Sequence, residues 1–425
     1  MNPQDTKRTL LYDWHTRRGA NMAVFGGYDM PVWYPPGVRA EHLAPLTTAG
    51  IFDTSHMALV KTRGARAFEL LQRCFSRDLG ACIGRDNTPI AEGRCVYGVF
   101  LNEKGHVIDD AIVYKTGAEK FVTVVNAGMG GEIAAHLKKH AGANDVEIED
   151  LTDRVGKMDV QGPLAAKIMQ KILADPHTIF EKMPYFSFKG HFDPAEQPSV
   201  EVRLLDGTPM LISRSGYTGE FGFELFIAPD RFVHLWETVL EAGKEFGALP
   251  CGLAARDSLR VGAVLPLSHQ DIGTWPFVNN PWTFALPYNA DKSGFTKAFV
   301  GGPALENVTA ADFTQPFVGY DLRKITVDEN AAVLNPDGER LGSVLTCASD
   351  MGIGRADDKI YSVASPDKPA GFVPKGLCCG FVKTTGRLSS GQPVQITDAR
   401  RKIKVVIADD IRPDRTARRA IRKMI

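Results

Sequence analysis

Two neighbouring aspartates in an otherwise apolar run are the first candidates for chemistry. Asp109 and Asp110 lie in residues 107–114, whose composition predicts a β-strand. Because side chains alternate along a strand, Asp110 and Tyr114 share one face and Asp109 takes the other. One carboxylate therefore lies among apolar neighbours, where it must be paired, ligand-bound or shifted in pKa. The alternative is purely structural, with one aspartate capping a bulge and the other solvated at a sheet edge.

A glycine-rich segment at 214–224 is the second candidate. Gly216, Gly219 and Gly222 permit close backbone approach or a positive φ, and Glu224 follows in the next predicted strand. A carboxylate beside a glycine leaves room for a flat ring edge whose two adjacent N–H donors bind it bidentately. The alternative is a glycine-rich hairpin that carries a solvated glutamate at an edge.

Two arginines four residues apart form the third candidate. Arg256 and Arg260 lie on one face of the helix predicted over 253–261, a spacing typical of an exposed, solvated stripe. The functional alternative makes Arg256 an anchor for an anionic or carbonyl-bearing ligand. His136 and His140 have metal-ligand spacing, but they lack a following glutamate and a third ligand, so we predict a surface helix and no metal.

The elements that position these residues are short strands mixed with amphipathic helices, which favours an α+β class. After a change of composition at 290–302 strands dominate, which predicts a separate, mostly β C-terminal domain built as a small barrel. The predicted helices are 66–73, 131–140, 229–246 and 253–261. The predicted strands are 95–101, 107–114, 120–125, 208–213, 221–227, 317–322, 340–346, 377–382, 393–397 and 402–407.

The overall composition excludes several classes of protein. Lys+Arg and Asp+Glu both number 50, a balance that argues against a dedicated nucleic-acid binder. The seven cysteines include no CxxC pair, so neither a disulfide framework nor a zinc cluster is predicted. With no apolar leader segment and no long uncharged apolar run, we expect a cytoplasmic protein without a membrane span.

The order of the motifs is more specific than any one of them. Segments 11–15, 25–31 and 50–57 closely resemble the N-terminal signature of the aminomethyltransferases, the T proteins of glycine cleavage. The Asp-Asp, Gly-Tyr-Thr-Gly-Glu and Ala-Ala-Arg-Asp-Ser-Leu-Arg segments follow in the family order, so the resemblance covers nearly the whole chain. It implies a three-domain cloverleaf around a central folate channel, with a two-lobed folate-binding region over 1–290 and the barrel over 303–425.

The resemblance also implies a reaction and its residues. An aminomethyl group on a dihydrolipoyl carrier, the H protein, passes to tetrahydrofolate with release of ammonia and formation of 5,10-methylene-tetrahydrofolate, without a metal. Asp110 matches the essential acid, which we expect to orient N10 and stabilise developing positive charge. Glu224 matches the residue that faces the pyrimidine edge of the pterin. The folate-site positions implied in this way are Met57, Tyr114, Val125, Asn126, Tyr217, Glu224, Arg256 and Trp282.

The sequence departs from the family pattern between Gly262 and Trp282. The usual acidic residue and Leu-Tyr-Gly stretch are replaced by a different segment, which contains His269. His269 is either a donor-site residue or a structural loop histidine. This region borders the expected donor entrance, so a tetrahydrofolate-dependent demethylase of a methylated sulfur, nitrogen or oxygen donor is the alternative function. A non-catalytic, folate-binding regulatory protein is the third.

The basic C-terminal segment has two interpretations. Its arginines either form a surface for an acidic lipoyl carrier or for the glutamate tail of folate, or they line a solvated helix. These residues are Arg412, Arg415, Arg418, Arg419 and Arg422.

Overall fold

The computed structural model describes residues 6–142, 146–306, 308 and 312–425. The helices α1–α9 are Tyr12–Arg17, Val38–Thr47, Ala67–Cys74, Gly130–Ala141, Ala165–Ile172, Pro176–Phe180, Phe232–Gly243, Leu253–Gly262 and Gly302–Glu306. The strands β1–β22 are Lys7–Arg8, Asn21–Phe25, Tyr28–Trp33, Gly50–Asp53, Ala58–Arg63, Cys95–Leu101, Val107–Gly117, Lys120–Val125, Glu147–Asp150, Gly156–Gln161, Phe188–Gly190, Leu211–Ser213, Gly222–Ile227, Leu249–Pro250, Phe313–Gly319, Ala332–Leu334, Arg340–Asp350, Ile353–Ala356, Lys359–Ser362, Leu377–Thr384, Pro393–Thr397 and Lys402–Ile407. Among these described residues, no helix is both long and apolar enough to cross a lipid bilayer.

The first large sheet has five antiparallel strands in the order β6-β7-β8-β5-β9. Helices α3 and α4 cover one of its faces. Ile133, Ala134 and Leu137 recur at helical spacing in α4 and are buried against that face, as an amphipathic helix requires. The strand β7, which carries the aspartate pair, therefore lies inside this sheet between β6 and β8.

The second large sheet has six strands in the order β11-β12-β13-β10-β4-β14. Its strand β13 alternates between two environments. Phe223 and Leu225 are buried on the side of α5 and α7, whereas Phe226 contributes to a cluster on the opposite side. Since Glu224 shares the parity of Phe226, its carboxylate faces away from the helices.

The helix-free faces of the two sheets meet, and this contact positions the site. Leu59, Tyr114 and Val124 of the five-stranded sheet form one buried cluster with Leu211 and Phe226 of the six-stranded sheet. The face of β7 that carries Tyr114 therefore lies opposite the face of β13 that carries Glu224.

The C-terminal strands close a barrel in the order β15-β20-β17-β16-β21-β22, filled by residues such as Phe317, Val333 and Ile396. The predicted α+β fold of three domains with a C-terminal β-barrel is confirmed; the boundaries 1–290 and 303–425 stay predictions. The predicted strand 317–322 is wrong at both ends. The strand runs over Phe313–Gly319, and the chain turns at the exposed Tyr320. The strand predicted over 208–213 forms only over Leu211–Ser213.

The basic C-terminal segment is not a solvated helix, because its only described helical piece is the short 3-10 turn Ile421–Lys423. The prediction that Arg412 lies at a surface is also wrong, since this side chain is 1% exposed. Its guanidinium pairs with Glu220 at 3.1 Å and with Asp350 of the barrel at 2.5 Å. Asp350 also binds His42 of α2 at 2.8 Å. Arg412 thus fastens the barrel to the rest of the fold.

Candidate active site

Asp109 and Asp110 meet at one side chain, Asn126, which directly follows β8. The Asn126 Nδ2 donates to Asp109 Oδ1 at 2.8 Å and to Asp110 Oδ1 at 2.7 Å, and its backbone N–H donates to Asp109 Oδ2 at 2.8 Å. The hydroxyl of Tyr97 donates to Asp110 Oδ2 at 2.9 Å. Asp109 is fully buried and Asp110 is half-buried. The structural alternative with a solvated edge aspartate is therefore wrong.

The surroundings of Asp110 raise the pKa of its carboxyl group towards neutral pH. Burial and the negative charge of Asp109 raise the pKa of Asp110 to about 6, against the hydrogen bonds from Tyr97 and Asn126 that favour the anion. Burial and the nearby Asp110 carboxylate raise the pKa of Tyr97 well above its usual value, so this hydroxyl stays a donor. A carboxyl group that titrates near neutral pH in a protected site suits charge stabilisation and proton transfer.

Glu224 is the second carboxylate of the site, and it is 5% exposed rather than solvated at an edge. Its Oε1 accepts from Lys157 Nζ at 2.6 Å, and its Oε2 accepts from the hydroxyls of Ser215 and, at 3.3 Å, Tyr114. Asp159 lies directly opposite Glu224 in the β10–β13 register. Because like charges at paired positions repel, Lys157, which also donates to Asp159 at 2.9 Å, stabilises both.

Arg256 extends this arrangement towards the edge of the site. Its guanidinium donates to Asp159 at 2.7 Å and lies 4.8 Å from the ring centroid of Tyr217, a cation–π geometry. Glu224, Lys157, Asp159 and Arg256 thus form a row of alternating charges, which we term the ion network. Burial alone would raise the pKa of Asp159, but Lys157 and Arg256 outweigh it and hold that pKa below its usual range.

The prediction of a solvated arginine stripe on α8 fails for Arg260. This side chain is 1% exposed and pairs with Asp257 and with the buried Asp271. The guanidinium also donates to Leu265 O at 3.2 Å, so it organises the chain that follows the helix.

The structure brings some of the remaining predicted residues to the site and not others. Met57 is half-buried and packs on the cluster between the two sheets. Val125 pairs with Ala111, and its side chain lies in the core under the helices, because the register places Val124 on the face of Ile112. The side chain of Val125 lies on the helix-covered face of the sheet, and its place at the pterin pocket stays a prediction.

Trp282 is buried against the barrel. Its indole is 2% exposed, donates to Val264 O at 2.8 Å and packs edge-on against Phe381 of the barrel at 5.3 Å between ring centroids. The indole is thus held within the protein by its N–H and by Phe381, and the contact of Trp282 with folate stays a prediction. Trp282 holds the 264–282 segment against the barrel.

Four residues of the candidate site were not predicted from the sequence: Tyr97, Lys157, Asp159 and Ser215. A signal existed for two of them. In β10, Lys157 and Asp159 alternate with Met158 and Val160, so a predicted strand there carries two charges on one face. Their importance depends on which strand lies opposite, and the sequence does not give that register.

Two buried polar atoms fit contacts with a heterocyclic ligand such as tetrahydrofolate. His56 is 4% exposed, burial lowers its pKa to about 4, and its Nδ1 has no hydrogen-bond partner among the described residues. The buried hydroxyl of Ser268 makes no close hydrogen bond within the described ranges, but it lies near Asp110 and favours the anionic form of that carboxylate. Since buried polar groups are nearly always hydrogen-bonded, each matches a ligand donor or acceptor. Across the same ranges, no group of three or more His, Cys, Asp or Glu residues is placed to hold a metal ion.

Comparison with known proteins agrees with this architecture. The GCVT N-terminal domain family matches residues 11–275. An aminomethyltransferase of Alkaliphilus oremlandii is 32% identical over 80% of this chain and 85% of its own, and that of Symbiobacterium thermophilum is 34% identical over 81% and 86%.

Among solved structures, the glycine cleavage system aminomethyltransferase T of Bartonella henselae is similar with a TM-score of 0.72 and 27% identity. The match covers 95% of this chain and 96% of that one. The sequence family, the relatives and the fold agree over most of the length. The chain therefore belongs to the aminomethyltransferase (GCVT) family and is a folate-dependent one-carbon transferase.

Proposed function

We propose that this enzyme transfers the aminomethyl carbon of a dihydrolipoyl carrier protein to tetrahydrofolate. The carbon loses its bonds to the amine nitrogen and to the carrier sulfur, and it gains bonds to N5 and N10. The two protons released from N5 and N10 leave with ammonia and with the carrier thiol. The products are 5,10-methylene-tetrahydrofolate, ammonia and the dihydrolipoyl carrier.

The observation that carries this proposal is Asp110, a half-buried carboxylate whose pKa of about 6 leaves it ionised at neutral pH. Positive charge develops on the one-carbon unit as its bonds to nitrogen and sulfur break. A fixed carboxylate in a water-poor site stabilises that charge without reorganisation. Asn126 and Tyr97 hold the carboxylate in one orientation, so it meets the reacting atoms in a defined direction.

The opposite wall supplies the recognition of the pterin. Glu224 uses one oxygen for Lys157 and the other for two hydroxyls, and a carboxylate offers about four acceptor positions. Three of these positions are used within the protein, so one remains to accept from an N–H group of a pyrimidine edge while Glu224 stays paired. Met57 and Tyr114 would pack on the ring, and Tyr217 with Arg256 would border its outer end.

The test compares Asp110→Asn with the wild type, using tetrahydrofolate and an aminomethyl-lipoyl carrier. We expect kcat to fall about 10²–10³-fold while folate binding is retained, because the isosteric amide keeps the shape and an oxygen that accepts from Asn126, and removes the charge. The exposed Asp13→Asn variant serves as the matched control. In the wild type, kcat/KM should fall about tenfold per pH unit well below 6, as Asp110 takes up its proton. Near-wild-type turnover of Asp110→Asn with folate bound would contradict the proposal.

A second candidate, demethylation of a small methylated donor, is favoured by one observation. The 264–282 segment brings His269 to 3.5 Å from Asp109, at the edge of the carboxylate pair. Parallel reactions with methylated sulfur, nitrogen and oxygen donors separate the two functions. Methylene-tetrahydrofolate with ammonia supports the carrier reaction, and methyl-tetrahydrofolate from a small donor supports demethylation. Folate binding without turnover of any donor would indicate the regulatory alternative.

The carrier requires a docking surface, and the C-terminal segment offers one. Arg418, Arg419 and Arg422, the exposed arginine cluster, line a surface depression together with Lys423. Among the described residues, none of the three arginines has an acidic partner within 4.0 Å. An acidic carrier protein would complement this cluster electrostatically. Arg412 and Arg415 are not part of it, since Arg412 is buried and Arg415 pairs with Asp410 at 2.5 Å.

A further inference from the structure

His269 has an unusual backbone and an unusual neighbour. Its φ is +64°, a left-handed conformation that is uncommon outside glycine and that histidine, asparagine and aspartate adopt more readily than other residues. Its Nε2 lies 3.5 Å from Asp109 Oδ1, while the side chain is 53% exposed.

The surrounding loop is held by groups other than His269. The buried Asp271 pairs with Arg260, and its Oδ2 accepts from the backbone N–H of Leu267 at 2.9 Å. Gln270, which directly follows His269, donates from its side chain to the Thr346 hydroxyl of the barrel at 2.7 Å. These contacts fix the backbone on both sides of His269. Substituting His269 therefore leaves in place the contacts that hold the loop.

The groups that face this imidazole are mainly acidic. Asp109 and Asp110 approach it from β7, and Glu132 approaches it from α4. Interaction with Asp109 raises the pKa of His269 above its usual value. Among the ion pairs of the described residues, His269 is the cationic partner of Asp109, and Asp110 has none. A protonated imidazole at this position therefore lies next to two carboxylates that share Asn126.

We propose that His269 is a positioning residue which, when protonated, balances the charge of Asp109 and thereby keeps Asp110 ionised. It acts through Asp109 and the shared Asn126, since no contact joins it to Asp110 directly in the described hydrogen bonds. The inference deepens the proposed function, because it concerns the charge state of the same carboxylate. It also gives the divergent 264–282 segment a role in the chemistry.

The expected effect has a direction and a pH range. Without the cation, the charge of Asp109 acts unopposed on Asp110, and the apparent midpoint of the pair rises by about 0.5–1 pH unit, a value reduced for the exposure of His269. At pH 6 the ionised fraction of Asp110 then falls about two- to fivefold. Above about pH 8 the loss disappears, because Asp110 is ionised with or without His269.

The test uses two variants that suit the backbone. His269→Asn keeps a residue that tolerates positive φ, and His269→Gly removes the Cβ and leaves space for added imidazole. His234→Asn is the matched control, because His234 is 50% exposed and pairs with Asp206 at 2.9 Å. The readouts are the carbon-13 NMR titration of the Asp110 carboxyl in aspartate-labelled protein, assigned by its loss in Asp110→Asn, and the pH profile of kcat/KM.

We expect the Asp110 midpoint to rise by about 0.5–1 pH unit in both His269 variants, to return towards the wild type when imidazole is added to His269→Gly, and to stay unchanged in His234→Asn. An unchanged midpoint, or a loss of activity by the same factor at every pH, would overturn the inference. The titration requires no donor, so a shifted midpoint without carrier-dependent transfer supports the inference and contradicts the proposed function. Transfer without any shift contradicts the inference alone.

Discussion

Replacing Lys157 with methionine tests whether the ion network stabilises the fold around the site. Lys157 is fully buried, and its ammonium donates to Glu224 at 2.6 Å, to Asp159 at 2.9 Å and to Thr54 at 3.1 Å. Methionine fills a similar volume and removes the charge. Asp159 keeps its pair with Arg256, so Glu224 becomes the buried carboxylate without a cation.

The expected loss of unfolding free energy in Lys157→Met comes from the Glu224 carboxylate, which is left buried without a cation. Removing one partner of a buried ion pair costs about 3–5 kcal/mol, most of it the penalty of the carboxylate left behind. Adding Glu224→Gln removes this charge too, and we expect the double variant to recover at least about 2 kcal/mol of unfolding free energy. The recovery distinguishes an electrostatic cause from a packing defect.

The choice of pH follows from the two shifted groups. The pKa of Lys157 is raised above its usual 10.5, so its contribution is present below that pH and lost as the pH rises through the folded value. The pKa of Asp159 is lowered below its usual 3.8, so its contribution is present above that pH and lost on acidification. Both contributions are complete near pH 7.5, where the variants should be compared.

The assay is guanidinium unfolding followed by tryptophan fluorescence, since Trp14 and Trp236 lie in the core beside the six-stranded sheet. Lys171→Met is the matched control, because Lys171 forms a surface pair with Glu245 and its loss should change the unfolding free energy by less than about 1 kcal/mol. A Lys157→Met variant as stable as this control would refute the reasoning. So would a double variant no more stable than the single one.

Two further predictions concern the glycine-rich segment and the carrier. A Cβ at Gly216 would overlap the side-chain amide of Gln161, so Gly216→Ala should lower the unfolding free energy by about 1–3 kcal/mol. Gly386 has open space around it, so Gly386→Ala is the control and should leave the unfolding free energy unchanged. Equal stabilities of the two variants would contradict the close approach at Gly216. Reversing the exposed arginine cluster to glutamate should raise the KM for the carrier about tenfold at low salt and leave small donors unaffected. A carrier KM that responds to neither salt nor charge reversal would exclude this docking surface.

The parts of the site that the sequence predicted well rest on local periodicity. Alternation within β7 placed Asp110 and Tyr114 on one face, and alternation within β13 turned Glu224 away from Phe223 and Leu225. These relations hold whatever the tertiary fold, because side chains in any strand alternate between two faces. The predicted positive φ in the glycine-rich segment is likewise confirmed, at Gly219 with φ of +75°.

The parts that failed depend on partners distant in sequence. Lys157 joins the candidate site only because β10 pairs with β13 in a register that sets Asp159 against Glu224. The arginine pattern near the C-terminus indicated a surface, yet Arg412 is buried by Glu220 and by a barrel residue more than sixty positions before it in the chain. Charge and spacing alone cannot distinguish a solvated arginine from one whose carboxylates come from two distant segments of the chain.

The position of Arg412 has a consequence for how the chain assembles during its synthesis. Ribosomes make proteins from the N-terminus, so Glu220 and Asp350 are both made before the guanidinium that neutralises them. Until Arg412 emerges, burying these two carboxylates at the junction between the barrel and the sheets would be unfavourable. Early chains should therefore keep the junction hydrated, and the contact between the barrel and the sheets should be the last arrangement to form.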